Sequence, residues 1–284
     1  MSDAAYRQGR LSEMVSTGYK FTDEDVLADI ELTRRIQVFG AWCGPAFVLL
    51  LFGCWGLMAG FIPMIPPDAA PGEVADRYAD NQALLLVGLI LGMVGVFLTQ
   101  PYFFVVSMQM RRSAPGVPAL AIVQFGAGIV TTVVLLIPML IFIVGGFRPE
   151  RSPELTQMLN DMSYIMLILP WPPILGQNIP LAISVFSDRR RRPVFPRWVA
   201  YVNLWIAVLV TPASLLIFFK VGPFAWNGLL GFWIPAAVFA SWYIAMTYAL
   251  LRAVRDEAEE ARRAVMADGD AAGGAAARKG EAVV

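Results

Sequence analysis

Long uncharged stretches dominate the chain, at residues 36–63, 81–110, 113–147, 162–187, 198–219 and 221–251. Each reaches or exceeds the roughly 20 apolar residues that a helix needs to cross the hydrocarbon core of a bilayer. A transmembrane barrel would instead alternate apolar and polar residues over segments of about 10, and these runs are continuous. The pattern predicts an all-α, polytopic transmembrane helical bundle of six spans over residues 36–251, with a polar N-terminal segment (1–35) and a polar C-terminal segment (252–284).

Proline, glycine and charge mark the connections. "RRSAPGVP" (111–118) and "DRRRRPVFPRW" (188–198) read as short links on one face. On the other face "IPPDAAPGEVADRYADN" (65–81) and "FRPERSPELTQMLNDM" (147–162) are longer. Each carries a proline near a glutamate followed seven residues later by an aspartate, and each reads as a short helix leading into a span. "KVGPFAWNG" (220–228) predicts a tight turn with Trp226 at the membrane interface. Thr22, ahead of Asp23, Glu24 and Asp25, suits the N-cap of a helix running straight into the first span. "RAVRDEAEEARRAVMADG" (252–269) continues the last span as a charged helix with acid and base pairs at helical spacing. The final stretch, 270–284, has the composition of a disordered tail.

The second and fourth spans share more than hydropathy. Glu73 and Asp80 stand 81 residues before Glu154 and Asp161, and Gln100, Arg111, Pro118 and Gln124 stand 77 to 79 before Gln177, Arg189, Pro196 and Asn203. Two origins fit these matches: tandem helical hairpins forming a parallel repeat, or the shared punctuation of any two hydrophobic hairpins.

Composition agrees with the pattern: 57% of residues are hydrophobic and 15% charged, and mean hydropathy is +0.60, far from a soluble chain. The 22 lysines and arginines set the orientation. All but Arg77, Arg148, Arg151 and Lys220 fall on the face that carries the termini, which is therefore expected to be cytoplasmic. The first 35 residues are polar and mixed in charge, so no removable signal peptide is expected and the first span serves as its own insertion signal. Cys43 and Cys54 lie on one helix about 16 Å apart, too far to bridge.

Chemistry narrows to amides. At about 1.5 Å per residue, Gln100, Gln124 and Gln177 lie roughly 16–18 Å above the charged ends of their spans, near the bilayer midplane. Asn178 is adjacent, Asn203 lies lower on the fifth span, and Pro45, Pro101 and Pro180 share the layer. Such amides suit two roles. They hydrogen-bond between helices, at about 0.6–2 kcal/mol per pair, or they supply the convergent polar groups of a mostly apolar ligand pocket that Trp55, Trp171, Trp205 and Trp242 could line. The chain has no histidine, and no acidic or basic residue lies inside a span, so proton relays and ion-pair pathways lack candidates. Haem, copper, zinc and di-iron centres lack ligands in the same way, and no cofactor or metal is expected. No nucleophile has a histidine partner and no glycine-rich phosphate loop precedes a helix, so catalysis would fall to Tyr, Ser or loop acids. Arg189, Arg190, Arg191, Arg192 and Arg197 form the densest charge cluster and read as a headgroup contact. The cluster is too short and too close to the membrane for nucleic acid.

"VFPRWVAYVN" (194–203), "GPFAWNGLLGFW" (222–233) and "RPERSPE" (148–154) resemble bacterial six-span integral membrane proteins that carry no assigned activity. The resemblance covers spans 2 to 6. It implies a bacterial inner-membrane location and supplies no functional residue. Three functions follow as expectations: a protein binding or transporting a small apolar or amphipathic molecule through a pocket between helices; a non-catalytic accessory subunit of a membrane protein complex; and an enzyme at the lipid headgroup, with Arg189 to Arg192 holding a phosphate.

Overall fold

The computed structural model describes residues 22–281. The expectations for residues 1–21, including Arg7, Arg10, Lys20 and the reading that no signal peptide is removed there, and for residues 282–284, lie outside the described residues. Six helical segments long and apolar enough to cross a membrane form an all-α bundle, with no strand among the described residues.

Span 1 is α1 (Asp23–Leu50), continued by a wide π-helical stretch, Leu51–Met58. Thr22 starts it with a reciprocal cap: its hydroxyl accepts from the Asp25 amide at 3.2 Å while the Asp25 carboxylate accepts the Thr22 amide at 2.8 Å. Span 2 is entered through a short outer helix, α2 (Pro71–Ala79), and consists of α3 (Gln82–Phe97) and α4 (Thr99–Ser113). The break falls at Leu98 because Pro101 has no N–H for the carbonyl four residues earlier. Beside the break the Thr99 hydroxyl donates to the Val96 carbonyl at 2.7 Å. Span 3 is one helix, α5 (Ala119–Phe147). Span 4 is α6 (Pro153–Ile168) and α7 (Pro172–Ser187), separated at "LPW" because Pro170, Pro172 and Pro173 remove three helical donors in four positions. Span 5 is α8 (Arg197–Leu209) tightening into a 3-10 helix, Thr211–Phe218. Span 6 opens with a second wide turn, Leu229–Trp233, and runs on as α9 (Ile234–Glu281).

Each span packs on its neighbours in sequence and span 6 returns to span 1, so the six close into a ring, with α4 leaning inward to reach α7 and α9. Glycine makes the closest approaches. A Cβ at Gly88 would stand 2.6 Å from the Cys54 carbonyl oxygen, and one at Gly40 would stand 2.9 Å from that of Pro101, so spans 1 and 2 meet backbone to backbone. On the face that carries the termini, Gln37, Gln109, Arg112 and Glu257 join spans 1, 2 and 6. Gln109 Nε2 donates to Gln37 Oε1 at 2.6 Å and to Glu257 at 2.7 Å, and Arg112 donates to Gln109 Oε1 at 2.7 Å and to Glu260 at 2.9 Å. On the opposite face α2 packs on α6, with Tyr78 donating to Asn160 at 3.3 Å.

Two details differ from the sequence reading. Trp226 is not an interfacial anchor: it is 5% exposed, donates to the Ile65 carbonyl at 2.8 Å and stacks on Tyr164. The turn before span 6 folds it inward, where its N–H finds an acceptor. The last helix also extends to Glu281, into the stretch (270–284) whose composition suggests disorder, since that stretch is alanine-rich and free of proline. Span 2 is approached through a separate helix beginning at Pro71, whereas the helix beginning at Pro153 is itself the first half of span 4, and both spans are interrupted near the middle of their length.

Candidate functional site

The backbone irregularities face a common space. A pocket of about 110 Å³ lies between Leu51, Phe52 and Trp55 of span 1, Thr131 and Leu135 of span 3, Leu167, Ile168 and Trp171 of span 4, Val210 and Ala213 of span 5, and Phe232, Ala236 and Phe239 of span 6. Four of these five walls carry an irregular stretch at the pocket: the π stretch of span 1, the proline break of span 4 that follows Leu167 and Ile168, the start of the 3-10 helix of span 5, and the wide turn opening span 6, which contributes Phe232 while Ala236 and Phe239 lie in regular α9. Irregular backbone at membrane depth is tolerated where it is buried in protein or lines a cavity, and π-helical turns recur at functional sites.

Aromatic rings close the pocket above and below. Toward the face opposite the termini Trp55 and Phe232 belong to a cluster with Phe61, Phe142 and Tyr164, whose members stand 4.4–6.5 Å apart between centroids. Toward the face of the termini Phe239 packs on Phe47 at 5.9 Å and on Tyr243 at 5.1 Å, and Tyr243 on Tyr102 at 5.0 Å. The side walls are looser: residues 165–176 of span 4, Pro172 excepted, and 234–240 of span 6, Ala237 excepted, are half-exposed.

The polar edge is set by Thr131. Gln177 Nε2 donates to the Thr131 hydroxyl at 2.7 Å, and that hydroxyl donates to the Ala127 carbonyl at 3.0 Å. Gln177 Oε1 is buried with no hydrogen-bond partner among the described residues, although Gln177 as a residue is 4% exposed. In span 4 Pro170, Pro172 and Pro173 have no N–H for the carbonyls of Met166, Ile168 and Leu169, and the Trp171 amide turns to Leu169 at 2.8 Å instead of to Leu167, resupplying Leu169 and leaving Met166, Leu167 and Ile168. Three carbonyls therefore lose the donors an unbroken helix supplies. The Trp171 indole N–H reaches across to the Ser214 hydroxyl of span 5.

The other sequence candidates do not share one centre. Gln100 donates to the Thr132 hydroxyl, which also meets Thr99 at 2.6 Å, so Gln100 and Gln177 come to adjacent threonines of span 3 from opposite neighbours. Asn203 is fully occupied elsewhere, accepting from the Trp242 indole at 3.0 Å and donating to the Val199 carbonyl at 2.8 Å. Gln124 is 1% exposed with neither side-chain amide atom paired among the described residues, and the Asn178 nitrogen is likewise buried and unpaired there. Among the four tryptophans, Trp55 and Trp171 line the pocket, Trp242 holds Asn203, and Trp205 is 65% exposed toward lipid. Sequence reasoning passed over Thr131 and Thr132. The signal was a Thr pair inside an otherwise apolar span, opposite a helix carrying "LPWPP".

The arginine cluster divides. Asp188, nearly buried, accepts from the Arg190 guanidinium at 3.2 Å, from the Arg190 amide at 3.1 Å and from the Val194 amide at 2.9 Å. Burial alone would raise its carboxyl, but these donors together hold it below its ordinary value. Arg197 donates to the Phe186 carbonyl at 3.0 Å. Arg189, Arg191 and Arg192 are exposed with no ion pair among the described residues. No cluster of three or more His, Cys, Asp or Glu that could hold a metal occurs among the described residues.

Six apolar spans in one bundle define a multi-pass integral membrane protein. Comparison with protein-family models, curated proteins and solved structures gives no match that would narrow the class further.

Proposed function

We propose that the protein binds a small apolar or amphipathic molecule taken from the bilayer, with the pocket at the span 4 break as its site. The observation that carries this reading is the convergence of four irregular walls on one apolar space whose single side-chain hydroxyl, Thr131, is tied to Gln177. Volume sets the size of the guest. About 110 Å³ is below the roughly 150 Å³ of a cavity that takes benzene and far below the roughly 300–1,000 Å³ of drug-sized sites. A short alkyl or isoprenoid unit, or the end of a longer chain, fits. Because aromatic rings cap the pocket toward both faces, entry runs sideways through the loose walls of spans 4 and 6. In this reading the charge asymmetry places both termini in the cytoplasm of a bacterial inner membrane, and Arg189, Arg191 and Arg192 meet headgroups.

The test is a thermal-shift series on the detergent-solubilised protein with straight-chain and isoprenoid alcohols of increasing length. A bound guest stabilises by about 2.7 kcal/mol at 100 times its Kd. Wild type should respond to at least one guest and Ala236→Phe, which fills the pocket with a ring, should not. Equal responses in the two proteins would remove the proposal. A second reading, an accessory subunit, is favoured by the length of α9. Its 48 residues extend about 72 Å, more than twice the hydrocarbon thickness of about 30 Å, and so present a charged helix to a partner. Co-purification of a stoichiometric partner that is lost on truncation after residue 255 would establish it.

A further inference from the structure

A second cavity, of about 380 Å³, lies where spans 1 and 6 meet at the face of the termini, lined by Arg34, Val38, Tyr248, Leu251, Arg252 and Arg255. Its chemistry is graded along the membrane normal. Arg34, Arg252 and Arg255 occupy the charged end, Val38 and Leu251 form a half-buried apolar floor, and the wall continues into lipid-facing Trp42 and Ile244, which are 56% and 64% exposed.

The charge there is not balanced. Six arginines, Arg34, Arg35, Arg252, Arg255, Arg262 and Arg263, share three carboxylates, Glu31, Asp256 and Glu259. Glu31 alone serves three of them. Arg34 is held by two hydrogen bonds to Glu31, at 2.9 and 2.7 Å. Arg252 and Arg255 stand 3.6–3.9 Å from their carboxylates and make no hydrogen bond among the described residues. Two guanidinium forks, loosely ion-paired, thus keep their N–H donors available to an anion beside a groove that is apolar one turn deeper.

We infer that this groove is a site for an anionic phospholipid, its phosphate held by Arg252 and Arg255 with Arg34 at the rim, and its acyl chains lying along Val38 and Trp42 on one side and Tyr248 and Ile244 on the other. A soluble phosphate compound would leave the apolar floor unused, and a zwitterionic lipid would bring its own cation to the arginines. The site is separate from the pocket at the span 4 break and from the 188–197 loop, and does not depend on either.

The test is native mass spectrometry of the full-length protein in detergent, titrated with dioleoyl phosphatidylglycerol or dioleoyl phosphatidylcholine. Wild type should retain one phosphatidylglycerol in preference to phosphatidylcholine, and glycerol 3-phosphate should not displace it. At about a factor of five per arginine near a membrane surface, R252Q/R255Q should bind phosphatidylglycerol about 30-fold more weakly, R252K/R255K should retain most of the binding, and R191Q/R192Q should match wild type. R255Q alone, at a residue 68% exposed, gives about one factor of five should the double variant fail to accumulate. Equal retention of the two lipids by wild type, or unchanged selectivity in R252Q/R255Q or R255Q, would overturn the inference. So would an equal loss in R191Q/R192Q, which would assign the effect to diffuse surface charge.

Discussion

Replacing Gln177 separates a glutamine that holds helices together from one kept for a guest. In Gln177→Leu the protein loses the 2.7 Å bond to Thr131, worth about 0.6–1.7 kcal/mol between membrane helices. It also loses a buried acceptor, Oε1, whose missing partner costs about 1–3 kcal/mol. The two changes oppose each other, so the net effect lies between a loss of about 1 kcal/mol and a gain of about 2 kcal/mol. Thr131→Val removes the same bond and leaves the whole amide buried and unpaired, which costs about 1–3 kcal/mol with nothing to offset it. The expected order is therefore Thr131→Val least stable, Gln177→Leu close to wild type, and the double variant near Gln177→Leu because the orphaned amide is gone. Sodium dodecyl sulfate titration of protein in mixed micelles, followed by intrinsic tryptophan fluorescence, measures all four. If Gln177→Leu is destabilised as much as Thr131→Val, the glutamine is structural and the reasoning from its unpaired oxygen fails.

Gln124, buried with both amide atoms unpaired, should be dispensable: Gln124→Leu is expected to raise unfolding stability by about 1–3 kcal/mol in the same titration. Arg112, whose side chain is 10% exposed and bonds to Gln109, Glu260 and the Ala253 carbonyl, ties spans 2 and 6. Arg112→Met should cost about 2 kcal/mol, below the roughly 3–5 kcal/mol of a fully buried pair because Glu260 is half in water, and should appear as a lower Tm. Asp188 gives a pH signature. Its carboxyl is held below the ordinary value, so its contribution is complete above roughly pH 4 and lost as pH falls through the lowered value. The Tm difference between wild type and Asp188→Asn should be constant from pH 8 to about pH 5 and shrink only in more acidic buffer, and a difference that changes near neutrality would contradict the assignment.

The legible part of this molecule was what hydropathy and proline dictate. Uncharged runs of bilayer length yield six spans whatever their packing, and Thr22 with Asp25 specifies its own cap locally. The break in span 4 was written in "LPWPP", yet its consequence was not, because a broken helix makes a pocket only if neighbouring spans bring irregular turns to the same depth. The π stretch at Leu51–Met58 has no proline or charge to betray it, and it packs closely against Gly88 and Gly92 of span 2. Among the amides, depth along the axis was readable but azimuth was not. Gln100 and Gln177 turn toward span 3, Asn203 turns toward Trp242, and Gln124 and the Asn178 nitrogen find no partner among the described residues, differences that arise only when the ring closes. Trp226 illustrates the same point: its position in a turn suggested the interface, but its indole N–H is satisfied inward by Ile65.

The most direct measurement is native mass spectrometry of the protein extracted with its own lipids, wild type beside Ala236→Phe. A small apolar or amphipathic molecule bound one to one in wild type and absent from Ala236→Phe is the predicted result. A wild type that carries no such molecule, or a variant that retains it, would contradict the pocket as a binding site.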